Sequence, residues 1–454
     1  MMDRINRSLT FIAEQPFLIS YISDIQFLYQ AAEFRKCILA SIANAKHRIY
    51  LTALYLEDDE AGQEIWHALN QAKQNNPALE VVVLVDYHRA QRGLIGQAAD
   101  STNATFYQKF AQTYHSDFNI YGIPVKSREL FGVLHLKGFV FDDQVLYSGA
   151  SLNNIYLNKK DRYRYDRYCL IKHNELADSF VNYIDNLIKG DYAVVPLNIA
   201  PIPTLTEMKG QHKQLRRHLK RAQYQYSGHV LPKKPEPDCI GIAPLAGFGA
   251  RGNKLNQMIR HIFHSTRREL ILFTPYFNFP AALSRDIAAM LRRGVSITLV
   301  VGDKTANDFY IPPSEPFKTI AGLPYLYEVN LRKFAKRHNK YIDQGSLNIH
   351  LWRHETNSFH LKGIYSDSQT MLLTGNNLNP RAWRLDLENG LLLQDKSGAL
   401  ADMQEKELAL ILANTTRINH YKQIETLEDY PQQVQRLLSR MRVFRADNMV
   451  KRIL

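Results

Sequence analysis

The chain reads as an α/β protein built from two halves related by a pseudo-two-fold, followed by a helical, basic C-terminal region. Three observations carry that reading. First, the segment HLKGFVFDDQVLYSGASLN, starting at His135, recurs as HLKGIYSDSQTMLLTGNNLN, starting at His360. Both open His-Leu-Lys-Gly, place an Asp seven residues after the His, and close Gly-x-x-Leu-Asn. Second, the pattern upstream of each copy runs helix, strand, helix, strand, and alternating elements of this kind argue for an α/β fold. Third, the strands are long apolar runs, as expected of sheets covered on both faces.

The elements repeat in order. Phe34, Ile38 and Ile42 predict a helix, and KHRIYLTALYL (46–56) a strand. Ile65, Leu69 and Ala72 mark the next helix, and VVVLVD runs as a strand to Asp86. The second half matches these with Leu255, Ile259 and Ile262, then RRELILFTPYF (267–277), then Leu283, Ile287 and Leu291, then SITLVVGD to Asp303. Within the first motif, His135, Lys137 and Phe139 share one face of a strand of period two. Asp142, Asp143 and Gln144 supply a turn, and Val145–Tyr147 return as the partner strand. The expected divisions are 1–190, a basic and Pro-rich connection over 191–245, a second half over 246–397, and a helical basic region over 398–454. From Met208 to Pro235 there are eight Lys or Arg and no acidic residue.

Composition narrows the function. The 454 residues, 45% hydrophobic and 22% charged, can bury a large core and do not describe a disordered chain. The net charge of +13 suits a polyanionic partner, either nucleic acid or an anionic membrane surface. Cys37, Cys169 and Cys239 are too few and too scattered for a disulfide framework or a zinc site, and suit a reducing compartment. No apolar run of about 18 residues occurs, and the N-terminus lacks a secretory pattern. A cytoplasmic protein is expected, in contact with a membrane at most from outside.

The repeated motif carries the chemistry. An imidazole, an ammonium and an amide on adjacent segments form a site for a phosphoryl group. Lys137 and Lys362 supply positive charge, Asn153 and Asn379 neutral donors, and His135 and His360 a nucleophile and a proton carrier. Two-fold juxtaposition would put the histidines on opposite sides of one phosphorus. Two lysines can balance the developing charge, so neither a metal nor any other cofactor is expected.

This pattern resembles the phospholipase D superfamily, whose mark is a duplicated His-Lys-Asp motif. Here the motif residues are His135, Lys137 and Asp142, then His360, Lys362 and Asp367. The resemblance implies a phosphohistidine intermediate, phosphate binding by Asn153 and Asn379, and a later acid orienting each histidine: Asp166 in YRYDRY and Glu388 in RLDLENG. It also implies that the motif aspartates are more often anchors than proton carriers. The stretches VDYHRAQRG, LYSGASLN, YRYDRY, VGDKTANDFYIP, LPYLYE and LTGNNLNPRAWRLDLENG look like the bacterial CDP-diacylglycerol–serine O-phosphatidyltransferase family, over nearly the whole chain. The superfamily's Gly-Ser pair is not kept: Gly149-Ala150-Ser151 and Gly375-Asn376-Asn377 stand there. This closer resemblance implies CDP-diacylglycerol and L-serine as substrates, His135 as nucleophile, and His360 as the group that protonates CMP and then deprotonates serine. A lipid hydrolase, a cardiolipin-type synthase and a nuclease are the alternatives, since nothing in the bare residue chemistry picks serine.

Further residues have two readings each. Asp86, His88, Arg89 and Arg92 follow a strand end, where ligand sites collect in α/β folds, and Asp303, Lys304 and Asp308 take the matching place. They either shape a headgroup or nucleotide pocket or form salt-bridged loops. Arg381 and Arg384 either hold a pyrophosphate or pair with Asp386 or Glu388. A helix from Gln432 carries Val434, Leu437, Leu438 and Met441 among Arg436, Arg440, Arg442, Arg445, Lys451 and Arg452. It is expected to lie on an anionic bilayer, giving reversible association with the inner membrane; the stretch Lys209 to Arg221 is a second such candidate.

Overall fold

The computed structural model describes residues 2–93, 101–232, 234 and 236–443. The expected α/β duplication is what the chain forms. The first sheet runs Val195–Pro196, Asn119–Ile123, Glu80–Asp86, Arg48–Thr52, Gly138–Phe141, Gln144–Ser148, Tyr168–Lys172, Ile25–Leu28. The second repeats that order with Thr415–Ile418, Leu347–Trp352, Ser296–Gly302, Glu269–Thr274, Gly363–Ser366, Thr370–Thr374, Leu387–Gln394 and Cys239–Phe248. In each sheet the strands that end at Asp86 or Gly302 are parallel to their neighbours, and the motif hairpin is antiparallel.

Helices cover the faces because their periodic residues require it. Phe34, Ile38 and Ile42 are fully buried on the helix Ala31–Asn44, and Leu255, Ile259 and Ile262 on the helix Lys254–Ser265. Asp59 and Asn253 cap the helices they precede by accepting from Gly62 N and Asn256 N. One apolar core is shared by both halves: Val140, Tyr147 and Phe180 pack in it with Phe273, Tyr365 and Leu391.

Two short ladders cross between the halves. Leu134–His135 lies parallel to Leu387–Glu388, and Ser358–Phe359 lies parallel to Arg164–Tyr165. These crossings place the site.

The repeat begins one strand earlier than its helix. Ile25–Leu28 and Cys239–Phe248 take equivalent positions in the two sheets, so a division at 246 cuts a strand. CIGIAPLAGF is buried throughout but reads as a connection because Pro244 is unusual inside a sheet. The first residues belong with the second sheet. Leu18–Tyr21 pairs with Cys239–Ile242, and Phe11 of the first helix stacks on His261 at 3.8 Å. Likewise, the region after 398 is not wholly helical, since Thr415–Ile418 extends the second sheet.

The helix from Gln432 corrects another expectation. Its apolar stripe is not free for a bilayer: Val434 and Leu438 are buried against Tyr325, Leu326 and Val329 of the helix Gly322–Arg337. Arg436 and Arg440 face outward. Arg445, Lys451 and Arg452 lie outside the described residues.

Candidate active site

Each crossing ladder delivers a motif histidine to an acid carried by the other half. His135 Nδ1 is 2.9 Å from Glu388 Oε2, and His360 Nδ1 is 2.8 Å from Asp166 Oδ2. The register makes this inevitable, because His135 is the direct partner of Glu388, and His360 N donates to Tyr165 O at 2.8 Å beside Asp166. Side chains brace the crossing. Asn389 donates to Lys137 O at 2.7 Å and accepts from Lys137 N at 2.9 Å. At the matching position Arg167 donates to Lys362 O at 3.2 Å and pairs with buried Glu407 at 2.7 Å.

The lysines are buried at the centre. Lys137 Nζ donates to Ala150 O at 3.2 Å and Ser151 Oγ at 3.3 Å. Lys362 Nζ lies 3.0 Å from His360 Nε2, 3.5 Å from Asp166 Oδ2, and also touches His360 Nδ1. Two glycines allow this density. A Cβ on Gly149 would sit 2.7 Å from Asp166 Oδ2 and 3.1 Å from Lys362 Nζ, and one on Gly375 would sit 3.0 Å from Lys137 Cγ.

Asn153 and Asn379 are held alike. Each Oδ1 accepts a backbone N–H three residues on, from Tyr156 at 3.0 Å and Ala382 at 2.9 Å. Each amide NH₂ is thereby left as a donor; that of Asn153 makes only a long 3.4 Å contact to Tyr55 Oη. Among the described residues, Asn376 Nδ2, Asn377 Oδ1 and Glu388 Oε1 are buried without a hydrogen-bond partner. Unsatisfied polar atoms grouped at one place are a feature of ligand sites rather than of cores.

Burial and crowded positive charge set the protonation. Burial, then Lys137 and Lys362, holds His135 well below its usual range. His360 is lowered likewise by burial and Lys362, with Asp308 opposing. Lys137 is pushed down to about 7 by burial and by Lys362. Lys362 is pushed down to about 8 by burial, against the pull of Asp166. Burial raises Asp166 and Glu388. The empty site therefore favours neutral imidazoles, and its lysines gain charge stability from any phosphate that enters.

The two histidines differ in one respect. Among the described residues, His135 Nε2 takes no hydrogen bond, whereas His360 Nε2 lies 3.0 Å from both Tyr156 Oη and Lys362 Nζ.

Other candidate residues lie elsewhere. Asp142 accepts from Lys46 N, His47 N and Arg48 N at 2.8–3.0 Å, and Asp367 from Arg267 N, Arg268 N and Glu269 N at 2.8–2.9 Å. Both sit at the far ends of their strands, tying the hairpin to the strand beside it, and bond to neither His135 nor His360. Asp86 is fully buried and accepts from Leu134 N at 2.8 Å, which ties it to the strand that carries His135. His88 bonds Lys126 O, and Arg89 forms a buried pair with Glu57 at 2.8 Å. Asp303 caps the turn at Thr305, and Lys304 pairs with Glu328 and Glu425. Arg381 pairs with Asp386 at 3.1 Å yet still acts electrostatically on His135. Arg384 is exposed.

Sequence reasoning missed Tyr55, Tyr156, Arg164 and Tyr276. Arg164 donates to Asp308 at 2.7 Å and lies 4.4 Å over the Tyr156 ring, and Tyr276 Oη donates to Asp308 at 2.7 Å. Tyr55 and Tyr276 hold the same place in the two repeated strands, a signal the repeat alignment did contain.

Comparison with known proteins agrees with this geometry. The family model described as "Cardiolipin synthase, PLD-like domain" matches residues 38–188 and 259–411. A CDP-diacylglycerol–serine O-phosphatidyltransferase of Haemophilus influenzae is 47% identical, covering 100% of both chains. The chain belongs to the phospholipase D-like CDP-diacylglycerol–serine O-phosphatidyltransferase family. A second member of this family, from Escherichia coli K12, is 45% identical over 99% of this chain and 98% of its own. The crystal structure of phosphatidylserine synthase from Haemophilus influenzae superposes with a TM-score of 0.95, at 47% identity, over 99% of this chain and 100% of that one.

Proposed function

We propose that the chain transfers the phosphatidyl group of CDP-diacylglycerol to the hydroxyl of L-serine, through a phosphohistidine formed on His135. The activity named for the full-length relatives supports the substrates. The observation that carries the assignment within the site is the open Nε2 of His135 beside the occupied Nε2 of His360.

Glu388 accepts a hydrogen bond from Nδ1–H of neutral His135, which leaves the Nε2 lone pair toward phosphorus. The anionic diphosphate of the substrate favours the imidazolium form of His360. The P–N bond forms as the P–O bond to CMP breaks, and the His360 imidazolium gives its proton to the departing CMP oxygen and becomes neutral. Serine then attacks from the side CMP left. Its hydroxyl proton passes to His360, the new P–O bond forms, and the P–N bond to His135 breaks. Lys137, Lys362, Asn153 and Asn379 hold the phosphoryl oxygens, whose charge restores that of the lysines.

CMP release from CDP-diacylglycerol in anionic mixed micelles, with chelator present and with or without L-serine, tests this. Serine-dependent CMP and phosphatidylserine, both lost in His135→Ala, are expected. Release indifferent to serine would make the protein a hydrolase, and no release would overturn the lipid reading. An acid-labile label on protein from the phosphatidyl group is expected in wild type and absent in His135→Ala.

Association with the membrane is peripheral in this proposal. Among the described residues no helix is long and apolar enough to cross a bilayer. Leu130 and Phe131 are half exposed, at 55% and 46%, next to Arg381, which bonds the carbonyls of Glu129 and Leu130. Lys126 nearby feels Arg216 of the basic helix Lys209–Leu219 and Lys220 just after it; the buried residues of that helix are His212, Leu215 and Leu219. Apolar tips ringed by cations suit an anionic surface. Sedimentation with anionic vesicles should fall with added salt and on Leu130→Ser with Phe131→Ser. Binding unmoved by both would remove this surface from the proposal.

A further inference from the structure

The acceptor in this reaction is a zwitterion, and the two sides of the site are not electrically alike. At the position two residues before each orienting acid stand Arg164 in the first half and Asp386 in the second. Each forms a partly buried ion pair, Arg164 with Asp308 at 2.7 Å and Asp386 with Arg381 at 3.1 Å. The pairs are therefore inverted. Beyond its partner Glu388, His135 is acted on chiefly by the cations Lys137, Lys362 and Arg381. Beyond its partner Asp166, His360 is acted on by a second carboxylate, Asp308, together with Lys362 and Arg164.

The pair beside His360 is set in aromatic side chains that reach the imidazole. Tyr276 donates to Asp308 at 2.7 Å, and its ring is 6.4 Å from that of His360. The guanidinium of Arg164 lies on Tyr156, whose hydroxyl is 3.0 Å from His360 Nε2. Among the described residues, Arg164 meets Asp308 through Nε, and no carboxylate takes the guanidinium edge-on through two donors. Each oxygen of Asp308 accepts one bond from a side chain and has capacity for another.

Building on the phosphatidyl-transfer reading above, we infer that Arg164 and Asp308 form the subsite for the acceptor amino acid, Asp308 binding its ammonium and Arg164 its carboxylate. The hydroxyl between them is presented to His360. An ammonium is repelled on the His135 side and drawn to the His360 side, which makes His360 the base for the acceptor. The zwitterion takes the place the CMP phosphate leaves, so serine enters only after the first half-reaction.

Two readouts on the full-length enzyme in mixed micelles test this: exchange of labelled CMP into CDP-diacylglycerol without serine, and phosphatidylserine formation against serine concentration. For Asp308→Asn a serine KM raised about tenfold or more is expected, as for loss of a hydrogen bond to a charged group, and this rise should exceed any fall in CMP exchange caused by removing a carboxylate near His360. The preference of wild type for L-serine over 3-hydroxypropanoate, which lacks the ammonium, should shrink in the variant. Tyr276→Phe, which leaves the ion pair in place, should raise serine KM by less and covers the case in which Asp308→Asn does not fold. Exchange falling in step with transfer in both variants, or an unchanged serine KM in Tyr276→Phe together with unchanged acceptor preference, would overturn the subsite. Absence of CMP exchange in wild type would instead overturn the phosphatidyl-enzyme reading on which it rests.

Discussion

At the scale of single residues, the site depends on who holds which proton. Burial and two neighbouring ammonium groups keep both imidazoles neutral below their usual range, while Lys137 and Lys362 sit near 7 and 8. Both lysines lose charge as pH rises through that window, so anion binding by the empty enzyme should weaken. Sulfate, whose own charge is constant there, should raise the melting temperature clearly at pH 6.5 and little at pH 9. Equal protection at both values would contradict the proposed lysine clamp. The orienting acids give a second outcome. Glu388→Gln should lower the rate of CMP release by a factor on the order of 10²–10⁴. Its carboxylate would no longer accept the Nδ1 proton, and the effect should far exceed any change in stability by denaturant titration. The histidines, lysines and asparagines were legible in the sequence because a repeated motif marks its own reacting groups. Arg164 was not, because its partner Asp308 lies in the other half and nothing local announces the pairing.

At the scale of elements, the duplicated motif is anchored at one end and reactive at the other. Asp142 and Asp367 collect three backbone N–H groups each, at the entrance of the neighbouring strand. Both aspartates adopt positive φ, 53° in each case, at the hairpin turn. Asp142→Ala and Asp367→Ala should each cost about 1–3 kcal/mol of stability, since a charged acceptor is lost from donors that depend on it. Turnover per folded molecule should change little; a kcat loss comparable to that of His135→Ala would put these residues back in the chemistry. The hairpins and parallel strands were readable from period-two alternation and apolar runs. The strands Ile25–Leu28 and Cys239–Phe248 were not, because one is very short and the other carries Pro244, two glycines and two alanines among its apolar residues. The C-terminal helix was readable as amphipathic, but periodicity cannot say whether an apolar stripe meets lipid or, as here, Tyr325 and Leu326.

At the scale of the whole molecule, neither half contains a complete reacting pair. His135 depends on Glu388 and His360 on Asp166 through ladders that exist only when the halves meet. Separately expressed fragments covering 22–238 and 239–454 should form no phosphatidyl-enzyme alone, and any recovered activity should require both. Label on the isolated first fragment would show that the crossing is dispensable. The first residues extend the same dependence, since Leu18–Tyr21 lies on the sheet of the second half. That long-range pairing is invisible to local sequence pattern, which sees a helix and a strand preceding the first repeat and gives them to it.

The crossed ladders also bear on how such a molecule could arise. Two identical copies of one half, packed about a two-fold axis, would close both histidine–acid pairs at once, so a single-copy ancestor could have worked as a homodimer before any gene fusion. Symmetry would then have forced the same charge on both flanks of the phosphorus. Two copies in one chain are free of that constraint, and the opposite residues at 164 and 386 are an asymmetry that a symmetric dimer could not hold, as the proposed division into a donor side and an acceptor side requires.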